Sequence, residues 1–168
     1  MKAVDLFAGS GGLSRGFRDA GISVVAAYDA WDMAVACYQA NNPDHPVFQM
    51  DLSDVATASA SIRQWAPDII IGGPPCQDFS HAGKRSEGNR ADLTVAFANI
   101  IDEVRPRWFV FENVDRARNS QAYCAARIIL REAGYGLTEQ VLDASLCGVP
   151  QKRRRFFCIG CLGQQDGF

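Results

Sequence analysis

The sequence predicts a Rossmann-like α/β fold, with a mostly parallel sheet covered by helices on both faces in three α/β/α layers. Short apolar runs of strand length alternate with longer stretches of helical periodicity along the chain. The first strand-like run leads into a glycine-rich turn and then a helix, at residues 5–13 (DLFAGSGGL). The 168 residues suffice for one domain with its own core, so we expect a single domain over residues 1–168.

Strands are predicted at residues 3–7, 23–28, 47–49, 68–72, 108–111, 137–142 and 155–159. Helices are predicted at residues 13–20, 31–40, 55–65, 91–104 and 117–132, with Gly134 as the stop of the last one. Ligands of such sheets bind beyond the carboxyl ends of the strands. The residues at strand ends should therefore line one rim, and they are Asp5, Leu6, Phe7, Asp29, Asp51, Cys76 and Glu112.

Composition excludes several classes of protein. A formal net charge of −2 argues against a basic module that coats nucleic acid, although residues 152–155 (KRRR) form a local basic cluster. No leader-like or bilayer-length apolar segment is visible, so a cytosolic location is expected. The six cysteines should then be free thiols. The lone CxxC at Cys158 and Cys161 has no second pair or nearby histidine, so no metal site is predicted.

The glycine-rich turn indicates a ligand that the backbone approaches closely. Its spacing fails the dinucleotide pattern because Ser14 stands where the third glycine belongs, and no P-loop is present, so a nucleoside without a pyrophosphate is favoured. Asp29 could accept hydrogen bonds from ribose hydroxyls, and Asp51 from an adenine amino group. Both are also good helix-capping residues, which is the alternative interpretation.

A reactive cysteine is indicated by residues 72–80 (GGPPCQDFS). Pro74 and Pro75 stiffen the backbone just before Cys76, which suits a rigid loop at the edge of a sheet. A lone cysteine is more often a core residue, but this context favours a nucleophile. Glu112 ends an apolar run, where carboxylates are rare unless paired. A cysteine–histidine hydrolase would need His81, and nothing else supports one.

Two further segments are candidates for binding. Gln151, Arg153 and Arg155 alternate and should share one face of a strand, where guanidinium groups suit phosphates and carboxylates. The alternative is a solvated charge run with Lys152 and Arg154 in water. Residues 77–92 form a long non-periodic stretch, which is typical of a binding loop or lid.

These motifs, in this order, resemble those of the C5-cytosine DNA methyltransferase family. DLFAGSGG is similar to its cofactor motif, GGPPCQDFS to its nucleophile motif, residues 112–114 to its ENV motif and residues 151–155 to its QxRxR motif. The resemblance covers nearly the whole chain and implies an S-adenosylmethionine (SAM)-dependent methyltransferase fold. The cofactor-binding positions that it implies are Phe7, Ala8, Gly9, Ser10, Gly11, Gly12, Leu13, Asp29, Ala30, Asp51, Leu52, Pro75 and Leu93. Ala30 replaces a bulky apolar residue, so adenine stacking is weaker or is supplied by Trp31.

The resemblance also implies a mechanism. A cytosine flipped out of duplex DNA would be attacked at C6 by Cys76, held at N3 by Glu112, and oriented by Arg153 and Arg155. C5 would then take the methyl group from SAM. The residues implied to contact DNA are Gln77, Ser80, Lys84, Arg85 and Arg90.

The chain departs from the family pattern after QxRxR, where a recognition domain and two further motifs normally follow. We therefore expect a second polypeptide that carries recognition, or a truncated product or fragment, with an apolar face left uncovered. The expected setting is a bacterial-type restriction–modification system acting in the nucleoid. The alternatives are a tRNA cytosine methyltransferase of the same fold and a non-catalytic SAM-binding subunit. The sequence predicts neither the target sequence nor the base that removes the C5 proton.

Overall fold

The computed structural model describes residues 1–75 and 93–168. Its strands are β1 Lys2–Leu6, β2 Ser23–Asp29, β3 Val47–Gln49, β4 Ile69–Gly72, β5 Trp108–Val114, β6 Tyr135–Asp143 and β7 Arg154–Leu162. Its helices are α1 Gly12–Asp19, α2 Asp32–Asn41, α3 Val55–Arg63, α4 Leu93–Val104 and α5 Gln121–Glu132. Two short 3-10 helices, Asp115–Asn119 and Ala144–Leu146, follow β5 and β6.

The seven strands form one sheet in the order β3-β2-β1-β4-β5-β7-β6. The first five strands pair in parallel, and β7 runs antiparallel to both β5 and β6. The direction of strand succession reverses at β1, which lies between β2 and β4. Ligands of doubly wound sheets bind at this reversal, so the loop after β1 occupies the expected place for a binding site.

Helices cover both faces of the sheet, which confirms the predicted three-layer fold. Helices α3, α4 and α5 pack on one face over the larger core cluster, which includes Ile62, Phe97 and Leu130. On the other face, Leu13 and Phe17 of α1 pack against a smaller cluster of strand residues. All four residues of β4 are buried, because a central parallel strand is covered on both sides.

Several predicted boundaries were wrong, and contacts explain two of them. The helix predicted from residue 117 begins at Gln121, because the Ser120 hydroxyl accepts a hydrogen bond from the Tyr123 amide and caps it. The strand predicted to end at residue 111 continues to Val114, because β7 pairs with β5 as far as that residue.

The face that carries α1 is less completely covered over the last strands. Ile159 of β7 lies opposite Val110 on this face and is 36% exposed. The Phe168 ring packs edge-on against Trp108, with 5.6 Å between ring centroids. None of the helices in the described part of the chain is long and apolar enough to cross a membrane.

Candidate active site

The loop after β1 is bent by backbone conformations that favour glycine. Gly9 and Gly11 have φ angles of 55° and 88°, in the left-handed region. Phe7 has a φ of 57°, which is a strained conformation for a residue with a side chain. Such strain persists only where surrounding contacts hold the backbone, and it is concentrated at ligand sites.

The glycines of this loop divide into two kinds by their surroundings. A Cβ at Gly11 would lie 2.7 Å from the Asn42 side-chain nitrogen and 3.1 Å from the Tyr38 ring, so this glycine permits close packing on α2. A Cβ at Gly9 or Gly12 would meet nothing within 4 Å. These two glycines therefore border open space that a ligand could enter at the N-terminal end of α1.

Asp29, at the end of β2, ties this loop to the rim. One carboxylate oxygen accepts a hydrogen bond from the Gly9 amide at 2.9 Å, and the other accepts from the Trp31 amide at 3.0 Å. A carboxylate has about four lone-pair sites, so both oxygens can still accept bonds from a ribose diol. The residue is half-buried, which fits a group that lines a ligand site.

The third strand end is more open. Asp51 is exposed and accepts a hydrogen bond from the Ser53 amide at 2.9 Å within a turn. The helix-capping alternative was wrong for Asp51, because the N-cap of α3 is Asp54, whose carboxylate accepts from the Thr57 amide. Leu52 is 1% exposed within the main core, so its side chain packs inside the protein. Ala30 and Trp31 are both exposed, and Trp31 is 61% exposed beside Asp29.

The remaining predicted cofactor positions differ in burial. Ser10 and Pro75 are exposed, Leu13 and Leu93 are half-buried, and Ala8 is buried. Ala8 belongs to a small apolar cluster with Ala27 and Tyr38. Among the predicted cofactor positions, the exposed ones are thus Ser10, Gly12, Ala30, Asp51 and Pro75.

Asp5 does not lie at the rim, contrary to the sequence prediction. It lies inside β1, is 1% exposed, and accepts a 2.6 Å hydrogen bond from the Ser14 hydroxyl. That hydroxyl also lies 2.9 Å from the Tyr38 hydroxyl, and the second Asp5 oxygen has no hydrogen-bond partner among the described residues. Burial raises the pKa of Asp5 to about 7. Ser14, noted in the sequence only as a missing glycine, thus joins α1 to β1 on the two sides of the glycine-rich loop.

The second half of the rim is built around Glu112 of β5. The Arg155 Nε donates to a Glu112 oxygen at 3.1 Å, and both side chains are 24% exposed. Burial raises the pKa of Glu112, and the nearby positive charges of Arg155 and Arg153 oppose that rise. A partly buried carboxyl held in this way is suited to exchange a proton with a bound base.

Asn113 joins this strand to the proline loop. Its side-chain nitrogen donates to the Pro74 carbonyl at 2.9 Å, and both groups are buried. A Cβ at Gly73 would lie 3.0 Å from a Glu112 oxygen, so the glycine allows the loop to pass close to that carboxylate. Sequence reasoning did not assign Asn113 a role, although it stands inside the ENV motif.

The predicted alternation of Gln151, Arg153 and Arg155 along one strand was wrong. Strand β7 begins at Arg154, so Gln151 and Arg153 precede it and are exposed. Only Arg155 of the three is held in the sheet, where it lies opposite Val114.

Six predicted site residues lie outside the described residues, namely Cys76, Gln77, Ser80, Lys84, Arg85 and Arg90. Residues 1–75 and 93–168 contain no cluster of side chains suited to hold a metal ion.

The chain is similar to known proteins over nearly its whole length. The family described as C-5 cytosine-specific DNA methylase matches residues 1–167. The Type II methyltransferase M.HindV of Haemophilus influenzae is 49% identical over 169 residues, which cover 100% of this chain and 55% of that protein. The Type II methyltransferase M.HgiDI of Herpetosiphon aurantiacus is 52% identical, over 95% of this chain and 52% of that protein.

Solved structures agree with these relatives. A mutant of DNMT2 from Spodoptera frugiperda superposes with a TM-score of 0.81 at 26% identity, over 97% of this chain and 50% of that one. A prophage-encoded methyltransferase of Escherichia coli gives a TM-score of 0.79 at 30% identity, over 96% and 47%. This chain spans about half the length of these relatives. It belongs to the C-5 cytosine-specific DNA methylase family.

Proposed function

We propose that the protein transfers a methyl group from SAM to C5 of cytosine in duplex DNA through a covalent adduct of Cys76. The observation that carries this proposal is the Glu112–Arg155 ion pair, set against the Gly73–Pro74 backbone that leads to Cys76. Curated relatives about half identical in sequence are named Type II methyltransferases, which supports DNA as the substrate.

The residues of the first half of the rim fit SAM. Gly9 and Gly12 border open space beside the end of β1, and Asp29 presents two oxygens with spare acceptor capacity. Exposed Ala30, Trp31 and Asp51 lie where the nucleoside base would rest. When bound, SAM supplies a methyl group on a positively charged sulfur, which a carbon nucleophile can take.

The chemistry begins with the Cys76 thiolate, which adds to C6 of a flipped cytosine and forms a carbon–sulfur bond. Glu112 donates a proton to N3, so negative charge does not accumulate on the ring. Arg155 holds Glu112 in place at 3.1 Å, and Arg153 adds a second positive charge near it. C5, now electron-rich, takes the methyl group as the carbon–sulfur bond to the sulfonium breaks, which leaves S-adenosylhomocysteine as the second product.

The product forms when a base removes the C5 proton. The electron pair of that C–H bond re-forms the C5–C6 double bond, and the Cys76 thiolate leaves. Glu112 recovers its proton from N3 in the same process, so the enzyme returns to its starting state.

The DNA contacts that we propose extend from Gln77 and Ser80 to the cations Lys84, Arg85 and Arg90, which would meet phosphates. In this proposal residues 1–168 act as the catalytic domain. A second polypeptide or segment supplies recognition of the target sequence, because relatives are about twice as long. The setting is then the nucleoid of a prokaryote, as part of a modification system.

The test is methyl transfer from labelled SAM to mixed-sequence duplex DNA, with tRNA assayed in parallel. We expect labelling of DNA that Cys76→Ala abolishes and that Cys124→Ala, which removes an exposed thiol, leaves intact. Turnover by Cys76→Ala would overturn the covalent mechanism, and labelling of tRNA alone would reassign the substrate. SAM binding without any turnover would indicate that residues 1–168 need the part that supplies recognition of the target sequence.

A further inference from the structure

An open groove lies on the face of the sheet that carries α5. It has a volume of about 470 Å³ and is lined by residues from α5, β6, β7 and the 3-10 helix Asp115–Asn119. Charged and polar side chains form its walls, among them Arg118, Arg127, Glu139, Gln140 and Arg154.

The groove is basic although the chain as a whole carries a net charge of −2. Three guanidinium groups line it against the single carboxylate of Glu139. Glu139 is occupied by Arg127 at 3.1 Å and by the Tyr123 hydroxyl. The three guanidinium groups thus face two carboxylates, Glu139 and the Asp115 that Arg118 and Arg154 share, so one net positive charge remains and favours an anionic ligand.

Arg118 and Arg154 share one acid, Asp115. The Arg154 Nη2 lies 3.1 Å from one Asp115 oxygen, and the Arg118 Nε lies 3.5 Å from the other. Both arginine side chains are more than half exposed, at 58% and 51%. Each guanidinium has five N–H donors and uses only a part of them on Asp115, so donors remain for phosphate oxygens.

The position of these arginines ties the groove to the reaction site. The 3-10 helix that carries Arg118 follows directly after β5, the strand of Glu112. Arg154 directly precedes Arg155, the partner of Glu112. Both arginines therefore lie on, or directly after, the strands that carry the Glu112–Arg155 ion pair.

We propose that Arg118 and Arg154 form a docking surface for the phosphate backbone of duplex DNA that flanks the target cytosine. This surface rests on the proposed function. It consists of residues other than the cations Lys84, Arg85 and Arg90 and other than the residues that hold the base. Its contribution is independent of sequence, as phosphate contacts are.

The test is the salt dependence of binding to a mixed-sequence duplex, measured by fluorescence anisotropy. For the Arg118→Gln/Arg154→Gln variant we expect weaker binding to every sequence and a smaller slope of log affinity against log salt, by about 1.8, at about 0.9 per lost phosphate contact. SAM affinity should stay unchanged, because neither residue lies at the glycine-rich loop.

The matched control is Arg63→Gln/Arg131→Gln. These arginines also form exposed ion pairs, with Glu103 and Asp166, but they lie in the last turns of α3 and α5. Helix ends of this kind lie at the opposite edge of the sheet from the rim.

Equal slopes in wild type and the Arg118/Arg154 variant, with normal methylation, would overturn the docking surface alone. An equal loss in both double variants would show a general charge effect and would overturn it as well. Failure of the wild-type protein to bind duplex DNA at low salt would overturn the DNA assignment and the surface together.

Discussion

The two halves of the rim are held by different kinds of contact. On the β1–β2 side, the Asp29 carboxylate binds backbone amides of Gly9 and Trp31. On the β4–β5–β7 side, contacts join distant parts of the chain: the Arg155 side chain pairs with that of Glu112, and the Asn113 side chain donates to the Pro74 carbonyl. The first half shapes a space with backbone, whereas the second places charged groups beside each other. We therefore expect changes in the first half to reduce cofactor affinity, and changes in the second to reduce rate.

The largest effect should follow Glu112→Gln. The amide keeps the size of the side chain but cannot donate a carboxyl proton, so we expect methyl transfer to fall by about 10²–10³-fold, as for the loss of one electrostatic catalytic group. SAM affinity should be retained, which equilibrium binding and single-turnover kinetics would check together.

The control for this change is Glu103→Gln, which removes an exposed carboxylate paired with Arg63 at 3.5 Å. It should leave the rate unchanged. A collapse of SAM affinity in Glu112→Gln would show that Glu112 supports the cofactor site. The expected contrast between the two halves of the rim would then be wrong.

A smaller effect is expected for Asp29→Ala. Loss of a charged acceptor of hydrogen bonds costs about 1.5–3 kcal/mol, which corresponds to a rise of about tenfold to hundredfold in the Kd for SAM. The rate at saturating SAM should change much less. Titration calorimetry would measure the Kd, with Asp32→Ala as a matched exposed acid at the start of α2. A slower methyl transfer by Asp29→Ala with an unchanged Kd for SAM would contradict this division of roles between the two halves of the rim.

The change with the smallest expected effect on activity is at Asp5, where the free energy of unfolding depends on pH. Its pKa rises from 3.8 to about 7 in the folded protein, so the folded state holds a proton that the unfolded state releases between these values. Its contribution to stability is therefore full below pH 3.8 and is lost as the pH rises toward about 7. Asp5→Asn keeps an acceptor for Ser14 but has no such proton.

Relative to wild type, we expect Asp5→Asn to gain free energy of unfolding as the pH rises from about 4 to 7. The gain is about 1.4 kcal/mol for each unit of pKa shift, which amounts to a few kcal/mol at most. Denaturant unfolding at several pH values would measure this difference. Parallel pH profiles for the two proteins would show that Asp5 is ionised in the folded state.

Much of the fold could be predicted from local patterns. The short strand at residues 47–49 is observed as predicted, and the glycine-rich turn after β1 lies at the reversal of strand order. These features depend on apolar runs bounded by turn residues, which act over a few positions. The position of the rim could also be predicted, because parallel strands place their carboxyl ends at one edge of the sheet.

The features that were missed depend on long-range pairing. The insertion of β7 between β5 and β6, antiparallel to both, has no local signature in the sequence. Nor has the bond between Asn113 and Pro74, 39 positions apart. The burial of Asp5 was missed for the same reason, because it depends on Ser14 of α1, which donates to Asp5, and on Tyr38 of α2, whose hydroxyl pairs with that of Ser14.

The insertion of β7 sets an order of events when the protein is made. This strand is the last of the seven to be synthesised, yet it separates β5 from β6 and carries the guanidinium that meets Glu112. The strands β1, β2 and β3 can pair, and the glycine-rich loop can form, while the chain is still being extended. Glu112 has no partner until residues 154–162 emerge and thread into place. The nascent chain can therefore form its cofactor loop early, whereas its reaction centre is complete only after residues 154–162 have been synthesised.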